Sequence, residues 1–511
     1  MLWAFGRAPA RYVQLEMGRS RSPFAWSLVL PVAAAEFLLL VATANRYGYH
    51  RDELYFRVAA QHPAWGYDDQ PALTPLLGRL SESLFGETPR GLRVVSALAI
   101  AIVVLLVALI ARELGAGRTG QTVAALATGA SGAALAVGHL LSTTTFDVLV
   151  WVTVVYLVAR ILGGGDERQW LLVGFVVGLG LENKHLVLLL VAGLGCGCLL
   201  ERRWELVRSR WLWAGAVLAL TLWLPNLVWQ AQHGWPQLRL ASEIGREDPV
   251  GYRIELLPFQ LLLVGPLLAP LWLGGLWWLL RRAEARPYRP LGLAYLVLLA
   301  IAFVTGAKPY YTIGLLLALL GAGGAVAESW ISGRRGRRFA LGVAIAVSAA
   351  IAAVLVLPLV PVQDVHATPI PDVNEDAIET IGWPTFTATV ARAWNRLPPS
   401  ARSNALVYTS NYGEAGAIAR YGPALGIPHA YSGHNAFWRF GRPSDGARPI
   451  IVVGYHDPAT LRGTFEDCAL SARIDNGVGI DNEEQGAPVW TCATTVEAWS
   501  RLWPRLHSLN P

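Results

Sequence analysis

Apolar runs recur along the chain, divided by short polar breaks: residues 24–44, 94–111, 120–141, 147–162, 170–182, 185–200, 211–229, 256–280, 291–306, 311–330 and 339–358. Each approaches the roughly 20 apolar residues that carry a helix across a hydrocarbon core of about 30 Å. The pattern therefore predicts about eleven transmembrane helices. It is interrupted twice. The first interruption is a polar, aromatic and acidic loop at 45–93. The second begins after Pro358, where Pro, Asn, Asp and Gly accumulate between short strand-like runs such as ALVYTS and PIIVVGYH and a helix-like GEAGAIARYGPAL. That punctuation predicts a small α/β domain. The expected organisation is a transmembrane unit over 1–358 and a second unit over 359–511.

Composition agrees with a polytopic membrane protein: 54% of residues are hydrophobic, 15% are charged, and mean hydropathy is +0.40, against roughly 25% charged residues in soluble domains. The net charge of +6 therefore reads as a topology signal rather than a nucleic-acid footprint, because basic residues collect on cytoplasmic loops. The arginine clusters do fall at alternate breaks: Arg112 with Arg118, Arg160 with Arg168, ERRWELVRSR, Arg281 to Arg289, and SGRRGRR. With the arginine-bearing leader on the same side, an odd number of spans puts residues 359–511 outside. The cell membrane is the expected location. Met17, followed by GRSRS, is as good a starting residue as Met1. Glu36, inside the first run, is expected to face the helix bundle.

The opposite breaks hold nearly all the chemistry. The first loop carries Arg51, Asp52 and Glu53, then Asp68, Asp69 and Gln70. Asp147 opens the fourth run, Lys184 and His185 divide the fifth from the sixth, His233 lies in the fourth external segment, and Lys308, Tyr310 and Tyr311 precede the tenth run. The chain has only two lysines, and both fall at this face. A carboxylate at such a boundary suits a general base, and Lys, Arg, His and Tyr suit a phosphate gaining charge. Alone, each residue reads as a helix cap or interfacial anchor; gathered on one face, they read as a site. Asp69 and His233 could form part of a divalent-metal site, although two ligands identify no metal. Cys468 and Cys492 lie in the external tail, where a disulfide is permitted, whereas Cys196 and Cys198 sit in an apolar run and read as packing residues. No zinc-finger spacing, P-loop or dinucleotide fingerprint is present.

The segments HRDELYF, AWGYDDQPAL, STTTFDVLVW, GLENKHLVLLL and AKPYYTIGLLLAL, spread over about residues 20–330, resemble glycosyltransferase family 39 of the GT-C superfamily, the group of protein O-mannosyltransferases and aminoarabinose transferases. The resemblance implies a GT-C fold and inverting transfer of a sugar from a polyprenyl monophosphate donor to a protein, lipid or glycan acceptor at the external face. It implies Asp52 as the catalytic aspartate, with Glu53 its nearest competitor. Arg51, Lys184, His185, Lys308, Tyr310 and Tyr311 would serve the donor phosphate; Asp68, Asp69, Gln70, Asp147 and His233 would line the donor or acceptor site. Where aminoarabinose transferases follow the later loop acid with Lys-Pro-Pro-Leu, this chain has Gln70, Pro71, Ala72 and Leu73, which removes a positive charge. The rival reading is a secondary transporter. Such proteins place their sites near the bilayer midplane between repeated halves, and no repeat is visible here. A non-catalytic relative is the third alternative.

Overall fold

The structure is a computed structural model describing residues 21–509; the leader and the choice between Met1 and Met17 lie outside that range. Every apolar run lies on helix. Among the described residues, seven helices are long and apolar enough to cross a membrane: Trp26–Thr43, Pro89–Glu113, Thr143–Leu162, Arg210–Gln232, Arg286–Thr305, Pro309–Ile331 and Arg335–Val356. Two further pairs, Arg118–Gly129 with Gly132–His139 and Pro249–Val264 with Pro266–Arg281, bend by 57° and 84°, which raises the count to nine if each pair is one span. Gln169–Leu181 and Val187–Leu200 are apolar but shorter. The protein is a multi-pass membrane protein.

Both bends have local causes. At the first, Ser131 ends one helix and caps the next, its Oγ accepting from the Ala134 amide at 3.3 Å, as a serine N-cap does. At the second, Gly265 takes φ +99°, a conformation that suits glycine because it has no Cβ, and Pro266 starts a new helix because its fixed φ suits the first turn. Packing separates the lining from the perimeter. Ile313–Ile331 is buried along most of its length, whereas only Ile345 and Ser348 are buried in Arg335–Val356. Arg210–Gln232 likewise exposes Val217, Leu220 and Leu224. Such apolar flanks suit lipid rather than water. Glu36 faces inward, buried beside Gly129.

The tail contains strands β1 (Leu406–Thr409), β2 (Ala430–Ser432), β3 (Ile450–Val453), β4 (Phe465–Glu466), β5 (Ala469–Arg473), β6 (Pro488–Cys492) and β7 (Thr494–Thr495). A five-stranded sheet has the order β2-β1-β3-β6-β5; β4 and β7 form a separate ribbon. β1 runs parallel to β2 and β3, and β6 runs antiparallel to β3 and β5. Alternate residues feed opposite faces. Val407, Ile451 and Val453 pack toward helices Trp383–Arg396 and Tyr412–Tyr421, while Leu406, Tyr408, Ile450 and Val452 pack on Trp499 and Trp503. Cys468 and Cys492 are joined by a disulfide; Cys196 is exposed and Cys198 buried, both as free thiols.

The tail shares its core with the first loop: Tyr49, Leu54, Tyr55 and Phe56 pack with Trp383, Phe386, Ile418 and Phe437 in one apolar cluster. Glycine permits this docking. A Cβ on Gly416 would lie 2.9 Å from the Leu54 backbone, and one on Gly413 would lie 2.9 Å from Arg51 Cβ. Helix Tyr412–Tyr421 consequently lies directly against helix Arg51–Ala59.

Candidate active site

Helix Arg51–Ala59 begins in a capping box. His50 accepts from the Asp52 amide, and Glu53 accepts from the His50 amide at 2.8 Å. Glu53 has no exposed surface. Its carboxylate also receives Arg93 Nε and Nη2 at 2.8 and 2.7 Å and the Leu141 amide at 2.9 Å. Arg93 in turn donates to the carbonyls of Ala44 and Gly48. Glu53, named above as the nearest competitor of Asp52, thus has both oxygens committed to partners inside the protein. Asp68, expected at the donor or acceptor site, is held in a similar way. It is fully buried and held by Arg439 Nε and Nη2 at 2.7–2.9 Å, with His507 at 3.6 Å, so it ties the loop to the tail.

The other member of each acidic pair is less enclosed. Asp52 is half-buried, and its Oδ1 accepts the Tyr412 hydroxyl at 2.8 Å. Asp69 is also half-buried and accepts the Tyr55 hydroxyl at 2.5 Å. The two tyrosine rings lie 5.0 Å apart. Burial pushes the Asp69 carboxyl up to about 7; the negative charges of Asp68 and Asp52 add to the rise and the Tyr55 hydrogen bond opposes it.

Across from the loop, the turn between Gln169–Leu181 and Val187–Leu200 is docked by Asn183, which accepts from Thr74 at 2.5 Å and donates to the Thr143 carbonyl at 2.8 Å. This positions Lys184. Its Nζ lies 3.2 Å from Thr144 Oγ1 and 5.5 and 5.4 Å from the ring centres of Tyr310 and Tyr311. Burial lowers the Lys184 pKa, Asp147 raises it, Lys308 lowers it and Asp52 raises it, which places Asp147, Lys308 and Asp52 within electrostatic reach of Lys184. Asp147 is buried and accepts from Trp151 Nε1 at 3.0 Å. Lys308 pairs with Glu247 at 3.2 Å.

Other expected members are turned elsewhere. Arg51 pairs with Glu483 and, at 3.6 Å, with Glu379, and its guanidinium lies 5.0 Å from the Tyr412 ring centre. The tail thus occupies the group expected to serve a phosphate. His185 meets Trp223 Nε1 at 3.2 Å and Asn226 at 3.3 Å, and burial lowers its pKa. The Gln70 carbonyl closes the Tyr67–Gln70 turn at 2.7 Å and its side chain is buried. His233 places Nδ1 on the Trp229 carbonyl at 2.7 Å and stacks on that indole. Among the described residues, no group of three metal-ligand side chains includes Asp69 or His233.

Sequence reasoning missed Tyr55, Tyr412, Arg93 and Arg439. The NYGEAG stretch offered a signal for Tyr412, because its Asn411–Glu414 capping box marks a helix start. Nothing local marked that helix as a partner for the first loop.

Residues 69–229 match the family model described as dolichyl-phosphate-mannose-protein mannosyltransferase. No curated protein sequence matches the chain. Among solved structures, ArnT from Cupriavidus metallidurans bound to undecaprenyl phosphate is similar over 92% of this chain and 98% of its own, at 15% identity with a TM-score of 0.60. The chain has the GT-C fold. ArnT from the same organism in the apo state gives a TM-score of 0.59 over the same shares of both chains, also at 15% identity. The arabinofuranosyltransferase AftD from Mycobacteria is similar over 93% of this chain and 40% of its own, at 16% identity with a TM-score of 0.50. The resemblance of this GT-C chain to glycosyltransferase family 39 therefore stands, and the transporter reading draws no support from these matches. The segment matched by the family model contains Asp69, Asp147 and Lys184.

Proposed function

We propose that the chain is an inverting glycosyltransferase that moves a sugar from a polyprenyl monophosphate donor to an acceptor hydroxyl at the external membrane face. One observation carries the reading: Asp52, Asp147 and Lys308 come from three separate stretches of chain, yet all bear electrostatically on the half-buried ammonium of Lys184. In this reading Asp52 takes the acceptor proton as the acceptor oxygen attacks the anomeric carbon. The bond from that carbon to the phosphate oxygen breaks, configuration inverts, and polyprenyl phosphate departs with the electron pair. Lys184, with Lys308 beside it, offsets the charge that grows on the phosphate. Tyr310 and Tyr311 frame the ammonium, and Asp69 with Tyr55 borders the acceptor side. The undecaprenyl phosphate named with the ArnT structure supports this class of donor.

The topology belongs to the same proposal. Counting each bent pair once and both short helices would give eleven spans; an odd number separates the two termini, and the alternating arginine clusters support an inside N-terminus and an outside tail. Residues 1–358 then hold the donor, and 359–511 complete the site from the external side by bringing Tyr412 to Asp52. The assay is the full chain with radiolabelled undecaprenyl-phosphate-linked sugars, run beside liposome uptake of the same sugars. Release of undecaprenyl phosphate with label transferred to an acceptor is the expected result. Uptake without transfer would replace this reading with the transporter one.

A further inference from the structure

The junction of tail and first loop contains a second, unrelated cluster. Glu379 follows the short helix Glu375–Ile378, whereas Glu483 and Glu484 lie at the tip of the hairpin between β5 and β6. The Cys468–Cys492 disulfide brackets that hairpin at its base. Asn482 Nδ2 docks the tip by donating to the Ile381 carbonyl at 3.0 Å. Each of the three glutamates directs an oxygen into one spot, all within 4.8 Å of one another.

Opposing charge is too sparse there. Arg51 meets Glu379 and Glu483, and His50 also lies within electrostatic reach of Glu379, but Glu375 and Glu414 add like charge. A separate observation concerns Glu484: it is 5% exposed, and neither of its carboxylate oxygens has a hydrogen-bond partner. Two bare acceptors buried on one carboxylate are costly unless something supplies positive charge or a proton.

We propose that Glu379, Glu483 and Glu484 bind a divalent cation, calcium in preference to magnesium, that clamps the tail hairpin to the start of helix Arg51–Ala59. The ligand set is all oxygen, as hard cations prefer, and calcium accepts bidentate carboxylates in irregular geometry. Three formal negative charges met by the Arg51 guanidinium leave an excess that suits one divalent ion. The site adjoins Arg51, the residue before Asp52, so occupancy fixes the end of the helix that carries the general-base carboxylate. The inference rests on the tail geometry and stands whether or not the chain transfers sugar.

The test uses the full chain in detergent, stripped with a chelator and dialysed, then returned to calcium or to magnesium. Calcium should raise the thermal transition by about 3–8 °C and remain at one ion per chain by elemental analysis after dialysis, with magnesium giving a smaller shift. Glu484→Gln and, separately, Glu379→Gln should lose both the shift and the ion while still showing a cooperative transition without metal. If Glu484 instead holds a proton, the parent will not respond to calcium and Glu484→Gln will unfold as the parent does; that outcome overturns the site. An equal response to both ions would overturn the assignment to calcium. If Glu484→Gln fails to fold, Glu483→Gln, altered at a half-exposed carboxylate, decides by the same two readouts.

Discussion

The two ends of the first loop are built alike. Each has adjacent acids, Asp52–Glu53 and Asp68–Asp69, and in each pair one carboxylate is fully buried under a two-pronged arginine while its neighbour accepts a tyrosine hydroxyl. The difference lies in where the arginine comes from. Arg93 belongs to a membrane helix and fastens the start of the loop to the bundle; Arg439 belongs to the tail and fastens the end of the loop to it. Glu53 and Asp68 therefore hold the frame, and Asp52 and Asp69 remain the half-buried member of each pair. A site that binds a mobile lipid donor needs carboxylates that do not move, and an anchored neighbour one residue away provides that rigidity.

The comparison breaks most visibly at Arg93. Arg93→Ala leaves Glu53 charged and unpaired inside the protein, a loss of about 3–5 kcal/mol; a sharply lowered thermal transition or failure to accumulate folded protein is expected. Unchanged unfolding would mean that the start of the loop is held by something else. Arg439→Ala should cost somewhat less, about 2–4 kcal/mol, because its guanidinium is partly solvated even though Asp68 is not. Its effect should be local: limited proteolysis should release the tail while the membrane helices stay protected. Equal proteolysis of variant and parent would detach Asp68 from the role given to it.

The less enclosed carboxylates sharpen the contrast through pH. Asp69 has its pKa raised from 3.8 to about 7 by burial, so between those values the folded protein keeps a proton that the unfolded chain has released. Stability from this group is full below the lower value and is lost as pH rises through the upper one. Raising the pH from about 5 to about 8 should therefore lower the thermal transition of the parent more than that of Asp69→Asn. Parallel pH profiles would remove the perturbed carboxyl from the account.

Much of the scaffold was legible because membrane insertion is written locally: each apolar run states its own burial, and all eleven lie on helix. The strands LVYT and IIVV of the tail were legible for the same reason. The pairing of elements was not. Tyr412 is 360 residues from Asp52, and Arg439 is 371 residues from Asp68, so no window of sequence holds both partners. Adjacent acids look equivalent in a string of letters. Which one is buried depends on the direction of helix Arg51–Ala59 and on the cation that meets it, and both are properties of the assembled fold. The partners of Arg51 were hidden for the same reason, since Glu379 and Glu483 lie far along the tail.

The central claim is that Asp52 performs the proton transfer while Glu53 holds the frame. It is tested most directly by turnover of Asp52→Asn with radiolabelled undecaprenyl-phosphate-linked sugars, in protein whose thermal transition matches the parent. Asparagine can still accept the Tyr412 hydrogen bond, and the cap of this helix is His50 in either case, but asparagine cannot take the acceptor's proton. A loss of about 100- to 10,000-fold in turnover with the fold intact is the expected result. Turnover near that of the parent would contradict the account.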